Sequence, residues 1–172
     1  MTILVTGGSK CGKSGFAESL LDNCPEPKIY LATMQPYGDE AHAAIARHRE
    51  MRKQKGFQTV EQYTDLHQLQ LPQHSHVLLE CIGNLTANEM FRQDPAPDCA
   101  DHILRGILHI RQQAESLVIV TNQVGSDGIR YDTETQRYIA VIGTVNQRIA
   151  EIADAVYECV WGIPVPLKGV IS

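Results

Sequence analysis

The 172-residue sequence has no apolar run long enough to cross a membrane. Its formal net charge is −5, and it has no basic stripe of the kind that neutralises nucleic-acid phosphates. It also has no internal repeat and no low-complexity segment. These absences exclude a membrane span, a nucleic-acid partner and a repeat architecture, and the hydrophobic share of 43% is ordinary for a globular protein.

The cysteines also lack a pattern. Five of them stand at positions 11, 24, 81, 99 and 159, an odd number without metal-ligand spacing. Cys81 and Cys159 fall in or beside apolar runs, where cysteine commonly serves as a small core residue. A strand-like run begins at Thr2, so we expect no signal or transit peptide. We therefore expect a protein of the reducing cytoplasm.

The most specific motif is a G-x-x-x-x-G-K-S phosphate-binding loop near the start of the chain. A short apolar run precedes it and a helical segment follows it, which is the context that this motif needs. Backbone N–H groups of such a loop point at phosphate oxygens, while its lysine contacts the β and γ phosphates and its serine binds Mg²⁺. The sequence therefore predicts a nucleoside triphosphate site with Mg²⁺, formed by Gly7, Gly8, Ser9, Lys10, Cys11, Gly12, Lys13 and Ser14.

Strand-like runs alternate with helical segments, a pattern typical of a parallel α/β sheet. The length allows one domain, residues 1–172. We expect an α/β P-loop NTPase fold of the RecA-like kind, with a mostly parallel central sheet and helices on both faces. The predicted strands are Thr2–Val5, Lys28–Ala32, Gln58–Gln62, Val77–Ile82, Leu117–Thr121, Val156–Trp161 and an edge strand, Leu167–Ile171. The predicted helices are Gly15–Leu21, Asp39–Lys55, Ile103–Glu115 and Tyr138–Ala153.

Sheets of this kind bind ligands at the carboxyl ends of their strands. Small and polar residues stand there, at Ala32, Thr33 and Met34, and at Thr121 to Gln123. Glu80 follows a buried run, where P-loop proteins keep an acid that holds Mg²⁺ or polarises a water. We therefore predict Glu80 as a metal ligand beside Ser14.

A basic helical segment supplies a candidate nucleophile. His48 lies between Arg47 and Arg49, with Arg52 one turn further along the same face. A neutral imidazole can attack an α-phosphorus while arginines neutralise charge on the phosphate oxygens. From the residues alone a surface histidine is about as plausible. The remaining histidines have no such context and are interpreted as structural or solvated, at positions 42, 67, 74, 76, 102 and 109.

In order and spacing these segments resemble the bifunctional adenosylcobinamide kinase / adenosylcobinamide-phosphate guanylyltransferase family of cobalamin assembly. The resemblance covers nearly the whole chain. After the loop it rests on Tyr30-Leu31-Ala32-Thr33, Ile45-Ala46-Arg47-His48-Arg49, Leu79-Glu80-Cys81-Ile82, Val120-Thr121-Asn122-Gln123, Val145-Asn146-Gln147-Arg148, Ala153-Asp154-Ala155-Val156 and Gly162-Ile163-Pro164.

The resemblance implies two reactions. The aminopropanol hydroxyl of adenosylcobinamide is first phosphorylated from ATP or GTP. His48 matches the histidine that attacks GTP, carries GMP while pyrophosphate leaves, and passes GMP to the new phosphate. The resemblance also implies a homotrimer. It further implies a nucleotide site that, beyond the loop, is lined by Ala32, Thr33, Met34, Arg49, Glu50, Met51, Arg52, Glu61 and Glu80.

The sequence departs from the family pattern at several positions. Gln123 stands where the family usually has Glu, and residues 126–130 replace a tighter run. The amide of Gln123 keeps hydrogen-bonding capacity but is neither a base nor a strong Mg²⁺ ligand. We expect these changes near the surfaces that contact the corrinoid and the base.

Two other interpretations suit the loop. A simple small-molecule P-loop kinase would transfer only the γ-phosphate and form no covalent adduct. A regulatory nucleotide switch would hydrolyse slowly, but the Asn-Lys-x-Asp motif of switch GTPases is absent. The two-step transferase is the leading hypothesis because it also gives His48 a role.

Overall fold

Seven strands form one sheet in the computed structural model, which describes residues 1–36, 50, 52–125 and 127–170. The strands are β1 (Thr2–Gly7), β2 (Lys28–Ala32), β3 (Phe57–Glu61), β4 (Ser75–Glu80), β5 (Ala114–Val120), β6 (Ala155–Val160) and β7 (Ile163–Lys168). Their order is β3-β2-β4-β5-β1-β6-β7, and only β7 is antiparallel to its neighbour. The predicted mostly parallel α/β sheet is confirmed.

Helices cover both faces of this sheet. On one face α1 (Lys13–Ser19) packs through Ala17 against Ile3, Val5 and neighbouring apolar residues. On the other face lie α2 (Ile82–Phe91), α3 (Cys99–Gln113) and α4 (Thr133–Ile152), and a 3-10 turn (Leu66–Gln68) packs beside α3. Among the described residues, no helix has the length and apolar character needed to cross a membrane.

The central strands are buried on both sides because helices cover each face. Val77, Leu78 and Leu79 of β4 are all at most 1% exposed. Leu117 to Val120 of β5 are equally buried, which explains their continuous apolar sequence. Cys81 and Cys159 are buried, as predicted. This arrangement places the carboxyl ends of β1, β2 and β4 along one edge, with β5 between β4 and β1.

Several predicted elements have other bounds in the structure. The helices predicted to begin at Ile103 and Tyr138 begin at Cys99 and Thr133, and two further differences change the course of the chain. The predicted strand Val77–Ile82 ends at Glu80, and Ile82 instead begins α2, a helix that the sequence pattern did not indicate. The final strand begins at Ile163, not Leu167, because Trp161 and Gly162 both have positive φ and reverse the chain in a two-residue turn. Most of the predicted helix Asp39–Lys55 lies outside the described residues.

A buried glycine fixes the distance between α3 and the 3-10 turn. A Cβ built at Gly106 would lie 2.7 Å from Leu66 Cβ and 3.3 Å from the His67 nitrogen. We expect Gly106→Ala to lower the free energy of unfolding by about 1–3 kcal/mol, as overpacking does. The melting temperature should then fall by about 2–4 °C per kcal/mol in a chain of this size.

Gly143 on α4 is the matched control for this prediction. A Cβ built there meets no atom within 4 Å. Gly143→Ala should therefore raise stability by about 0.5–1 kcal/mol, through the better helix propensity of alanine. Thermal unfolding followed by circular dichroism measures both variants, and shifts of the same sign would contradict the packing argument.

Candidate functional site

The loop between β1 and α1 needs glycine at two points. Gly7 has φ +149°, and a Cβ there would lie 2.6 Å from Cys11 Sγ and 2.7 Å from the Cys159 carbonyl oxygen. Gly12 has φ +93°, and a Cβ there would lie 3.1 Å from Gly162 Cα. Within the described residues, no side chain caps the first turn of α1. The loop therefore curls tightly against the β6–β7 turn, and its backbone N–H groups stay available to an anion.

Lys13 and Ser14 begin α1 directly after this loop. The Lys13 ammonium donates to the Gly8 carbonyl oxygen at 3.0 Å, so the side chain lies back across the loop. Ser14 Oγ donates to Glu80 Oε1 at 2.5 Å. Glu80 is the last residue of β4, a strand separated from β1 by β5. The structure thus brings together the cation, the hydroxyl and the carboxylate that the sequence singled out.

The hydroxyl and carboxylate pair suits a hard divalent cation. Mg²⁺ prefers oxygen ligands and is commonly held by one or two protein groups together with phosphate oxygens and water. Ser14 Oγ and Glu80 Oε1 already face each other, and both side chains are half-buried. These donors fit Mg²⁺, which would neutralise charge on a bound phosphate chain.

Tyr30 is a site residue that the sequence analysis missed. Its hydroxyl donates to Glu80 Oε2 at 2.5 Å and accepts from Arg52 Nη2 at 2.6 Å. The Arg52 guanidinium also lies 3.3 Å from the centroid of the Tyr30 ring. Burial, and next the Glu80 charge, raise the pKa of Tyr30 well above its usual value, so the phenol keeps its proton. Tyr30 therefore holds the second oxygen of Glu80 while Ser14 contacts the first.

The ends of β2 and β4 are joined by side chains. Thr33 is fully buried, and its Oγ1 accepts from the Cys81 N–H at 2.8 Å and donates to the Cys81 carbonyl oxygen at 2.9 Å. Asn88 Nδ2 donates to the Thr33 carbonyl oxygen at 2.7 Å and to that of Tyr63 at 3.0 Å. Thr33 thus acts as a brace between strands, while Met34 beyond it is 48% exposed.

An open cavity of about 680 Å³ lies beside this brace. Its walls come from the segment after β2, from Thr64 after β3, and from α2 with the adjoining Arg92. They mix amides and apolar groups with this one cation: Met34, Gln35, Asn84, Ala87, Asn88 and Phe91. The cavity adjoins the end of β2, because Met34 follows Thr33 and Asn88 donates to the Thr33 carbonyl oxygen. Such an open, mixed surface can receive a large substrate with both amide and apolar groups.

The other predicted nucleotide-site residues are dispersed or undescribed. Glu61 ends β3 and is exposed, Ala32 ends β2 and is half-buried, and Glu50 is helical and exposed. Arg52 reaches the Tyr30–Glu80 pair, as described above. The predicted nucleophile His48 and its neighbours Arg49 and Met51 lie outside the described residues.

Gln123 lies at the opposite side of the phosphate loop from the cavity. Its backbone N–H donates to the Gly7 carbonyl oxygen at 3.2 Å, and its amide nitrogen donates to Glu158 Oε1 at 2.5 Å. A glutamate at this position would face the Glu158 carboxylate. The amide therefore fits its neighbour here, which gives the departure from the family pattern a local physical reason.

The Tyr30 hydroxyl yields a prediction for magnesium dependence. Tyr30→Phe keeps the ring but removes the hydrogen bond that holds Glu80. The kcat/KM for turnover of the bound nucleotide should therefore fall about tenfold, as for loss of a charged hydrogen bond. The Mg²⁺ concentration for half-maximal rate should rise. Tyr131→Phe is the control, because it removes an exposed hydroxyl that donates to Asp127. Equal Mg²⁺ dependence in the two variants would contradict the role of Tyr30.

Comparison with known proteins assigns the chain to a family. A family model described as cobinamide kinase / cobinamide phosphate guanyltransferase, CobU, matches residues 3–167. The chain belongs to the CobU family. It is therefore an enzyme of the cobinamide kinase / guanylyltransferase kind in adenosylcobalamin biosynthesis, and the family named from the sequence is confirmed.

Curated relatives of the CobU family match along all or nearly all of their length. The bifunctional adenosylcobalamin biosynthesis protein CobU of Salmonella typhimurium is 34% identical, with 98% of this chain and 100% of the relative covered. The protein of the same name from Escherichia coli is 33% identical with the same coverage. CobP of Pseudomonas aeruginosa is 28% identical over 98% of each chain.

Two solved structures share this fold at low sequence identity. One solved ATPase domain superposes with a TM-score of 0.53 at 8% identity, covering 91% of this chain and 68% of that one. The flagellar accessory protein FlaH from Methanocaldococcus jannaschii gives 0.50 at 11% identity, covering 98% and 78%. At such low identity these likenesses support the P-loop NTPase fold alone.

Proposed function

We propose that the chain phosphorylates adenosylcobinamide with ATP or GTP and then transfers GMP from GTP to the product. The observation that carries this proposal is the convergence of Lys13, Ser14 and Glu80 beside an open cavity. A triphosphate on the loop would present its phosphorus atoms at the same strand ends that border the cavity. Membership of the CobU family supplies the corrinoid substrate class.

The kinase step needs mainly positioning and charge neutralisation. The aminopropanol hydroxyl oxygen attacks the γ-phosphorus and its proton passes to solvent. The bond from that phosphorus to the β–γ bridging oxygen breaks, and the nucleoside diphosphate leaves. Backbone N–H groups of Gly7 to Ser14 and the Lys13 ammonium stabilise the charge on the phosphate oxygens. Ser14 and Glu80 would hold Mg²⁺, which would supply positive charge to the phosphate chain.

The guanylyl step uses His48 as a covalent carrier. A neutral imidazole nitrogen attacks the α-phosphorus of GTP, the bond to the β-phosphate breaks, and pyrophosphate leaves. A phosphate oxygen of adenosylcobinamide phosphate then attacks the same phosphorus, which breaks the P–N bond and frees His48. We assign Ala32, Met34, Arg49, Glu50, Met51, Arg52, Glu61 and Glu80 to the walls of this nucleotide site, with the buried Thr33 as the brace behind them.

Incubation with GTP and Mg²⁺ alone, followed by intact mass measurement, tests the covalent step. The expected result is a gain of one GMP per chain together with released pyrophosphate. The adduct should be labile in acid and stable in base, as a P–N bond is. No adduct with GTP alone, and GDP that forms only after adenosylcobinamide is added, would instead identify a kinase that transfers only the γ-phosphate.

The exposed face of β7 is the surface that we propose for contacts in a homotrimer. Ile163, Val165 and Leu167 alternate along this strand and are 65%, 39% and 60% exposed. Pro164 and Pro166 lack N–H groups, which limits pairing of the free edge with another strand. Apolar side chains, not added strands, would then form the contact. Light scattering of the purified protein measures the assembly.

A further inference from the structure

Two histidines interpreted from sequence as structural or solvated lie in a charged cluster away from the phosphate loop. Asp65 and His67 belong to the turn between β3 and β4, Glu89 lies near the end of α2, and His102 lies on α3. One ligand atom each from Asp65, His67 and His102 lies within 4.8 Å of the other two. The turn with Asp65 and His67, the end of α2 with Glu89, and α3 with His102 thus meet at one place.

The carboxylates in this cluster are oriented by Arg92. The same guanidinium nitrogen donates to Asp65 Oδ2 at 2.8 Å and to Glu89 Oε2 at 3.1 Å. This leaves Asp65 Oδ1 at 2.9 Å and Glu89 Oε1 at 3.4 Å from His102 Nε2. Glu89 Oε1 also accepts from the Asp65 N–H at 2.6 Å. One oxygen of each carboxylate therefore accepts a hydrogen bond from Arg92, and the other oxygen faces His102.

We propose that Asp65, His67 and His102 form a site for a divalent transition-metal ion of the zinc class, with Glu89 as an adjoining oxygen donor. Two imidazoles and carboxylate oxygens are ligands that Zn²⁺ prefers. Bonds of about 2.1 Å at tetrahedral or octahedral angles separate neighbouring donors by about 3.0–3.4 Å. The distances from His102 Nε2 to Asp65 Oδ1 and Glu89 Oε1 are 2.9 and 3.4 Å, just below and at the upper end of that range.

The burial of the donors gives the site a closed side and an entrance. Glu89 is 2% exposed and His102 13%, whereas His67 is exposed to solvent. Donors on opposite sides of one ion lie at most about 4.2 Å apart, so His67 needs only a small rotation to complete the set. Its ring already contacts that of His102 edge-on, with centroids 5.0 Å apart. A metal ion can enter past His67 while the other donors stay fixed.

Charge in the cluster also accommodates a cation. Asp65 and Glu89 carry two negative charges against the single positive charge of Arg92. Asp65 Oδ1 and Glu89 Oε1 both face His102 Nε2. A metal ion bound to these atoms would therefore lie against both carboxylates.

Zinc titration of tag-free, nucleotide-free, reduced protein in excess Mg²⁺ tests the site. Calorimetry should show one saturable Zn²⁺ per chain, with binding weakened about 10- to 100-fold in His67→Ala, as for other metal-site changes. Exposed His67 can be replaced with little risk to folding. His74→Ala is the matched control, because His74 pairs with Glu115 on the exposed surface, and it should bind as the wild type does.

Cobalt substitution identifies the ligand atoms. Co²⁺ should give visible d–d absorption bands in the wild type and in His74→Ala, and much weaker bands in His67→Ala. Zn²⁺ should also raise the melting temperature of the first two proteins only. Thiolate charge-transfer bands, equal affinity of His67→Ala, or no saturable binding would overturn the proposal and leave an ion-pair network. None of these readouts depends on the proposed catalytic activity.

Discussion

Replacement of His48 by alanine should abolish the gain of GMP on the protein and lower guanylyl transfer by a factor of about 10⁴ or more, as for loss of a covalent nucleophile. Alanine has no nitrogen with which to form the P–N bond. Transfer of the γ-phosphate to adenosylcobinamide should remain, because that step passes no phosphorus through an imidazole. Intact mass after GTP treatment and separate assays of the two half-reactions measure these effects.

The control for this variant is a second histidine of the same segment. His42→Ala removes an imidazole six residues away and should leave the GMP adduct and both rates unchanged. An adduct in His48→Ala equal to that of the wild type would show that another residue carries GMP. Loss of both half-reactions together would show that residue 48 acts on the nucleotide site as a whole.

The parts of the fold that the sequence predicted are those fixed by local pattern. Apolar β-branched runs indicated the central strands, since strands covered on both faces contain few polar residues. The run Lys28–Ala32 was predicted with the bounds that the structure has. Gly7 and Gly12 of the motif also predicted the tight loop between β1 and α1. In the structure, close contacts at both positions exclude a Cβ.

The helix α2 could not be predicted because tertiary contacts, and not its local sequence, stabilise it. Its sequence contains Gly83, Asn84 and Thr86, which have low helix propensity and form no clear apolar stripe. In the structure Leu85, Thr86 and Glu89 are buried against neighbouring elements. Packing of this kind overrides local preference, and the sequence alone gives no sign of it.

The most informative site contacts join residues that are distant in sequence. Tyr30 and Glu80 are 50 residues apart, and Ser14 and Glu80 are 66 apart. The motif made the second contact predictable, because a P-loop serine and a strand-end acid share Mg²⁺ in this class of fold. The first has no motif. A tyrosine in an apolar strand is typical of a core residue, and Tyr30 is indeed 3% exposed.

Replacement of Lys13 by alanine should reduce both half-reactions, each by about 10²–10³-fold in kcat/KM, as for loss of one group that stabilises transition-state charge. The physical reason is the position of its ammonium group, which lies across the loop. Lys13 Nζ contacts the Gly8 carbonyl oxygen, and within the described part of the chain no carboxylate pairs with it. Its full charge is available to the phosphate chain.

Lys53→Ala is the control, because Lys53 is an exposed lysine outside the loop and should leave both rates unchanged. Initial rates of nucleoside diphosphate and of pyrophosphate release separate the two reactions. Lys13→Ala and His48→Ala together show whether the two reactions use one nucleotide site or two. If a single loop serves both reactions, Lys13→Ala impairs both while His48→Ala impairs one. A GMP adduct that forms in Lys13→Ala at the wild-type rate would mean that GTP binds for guanylyl transfer away from this loop.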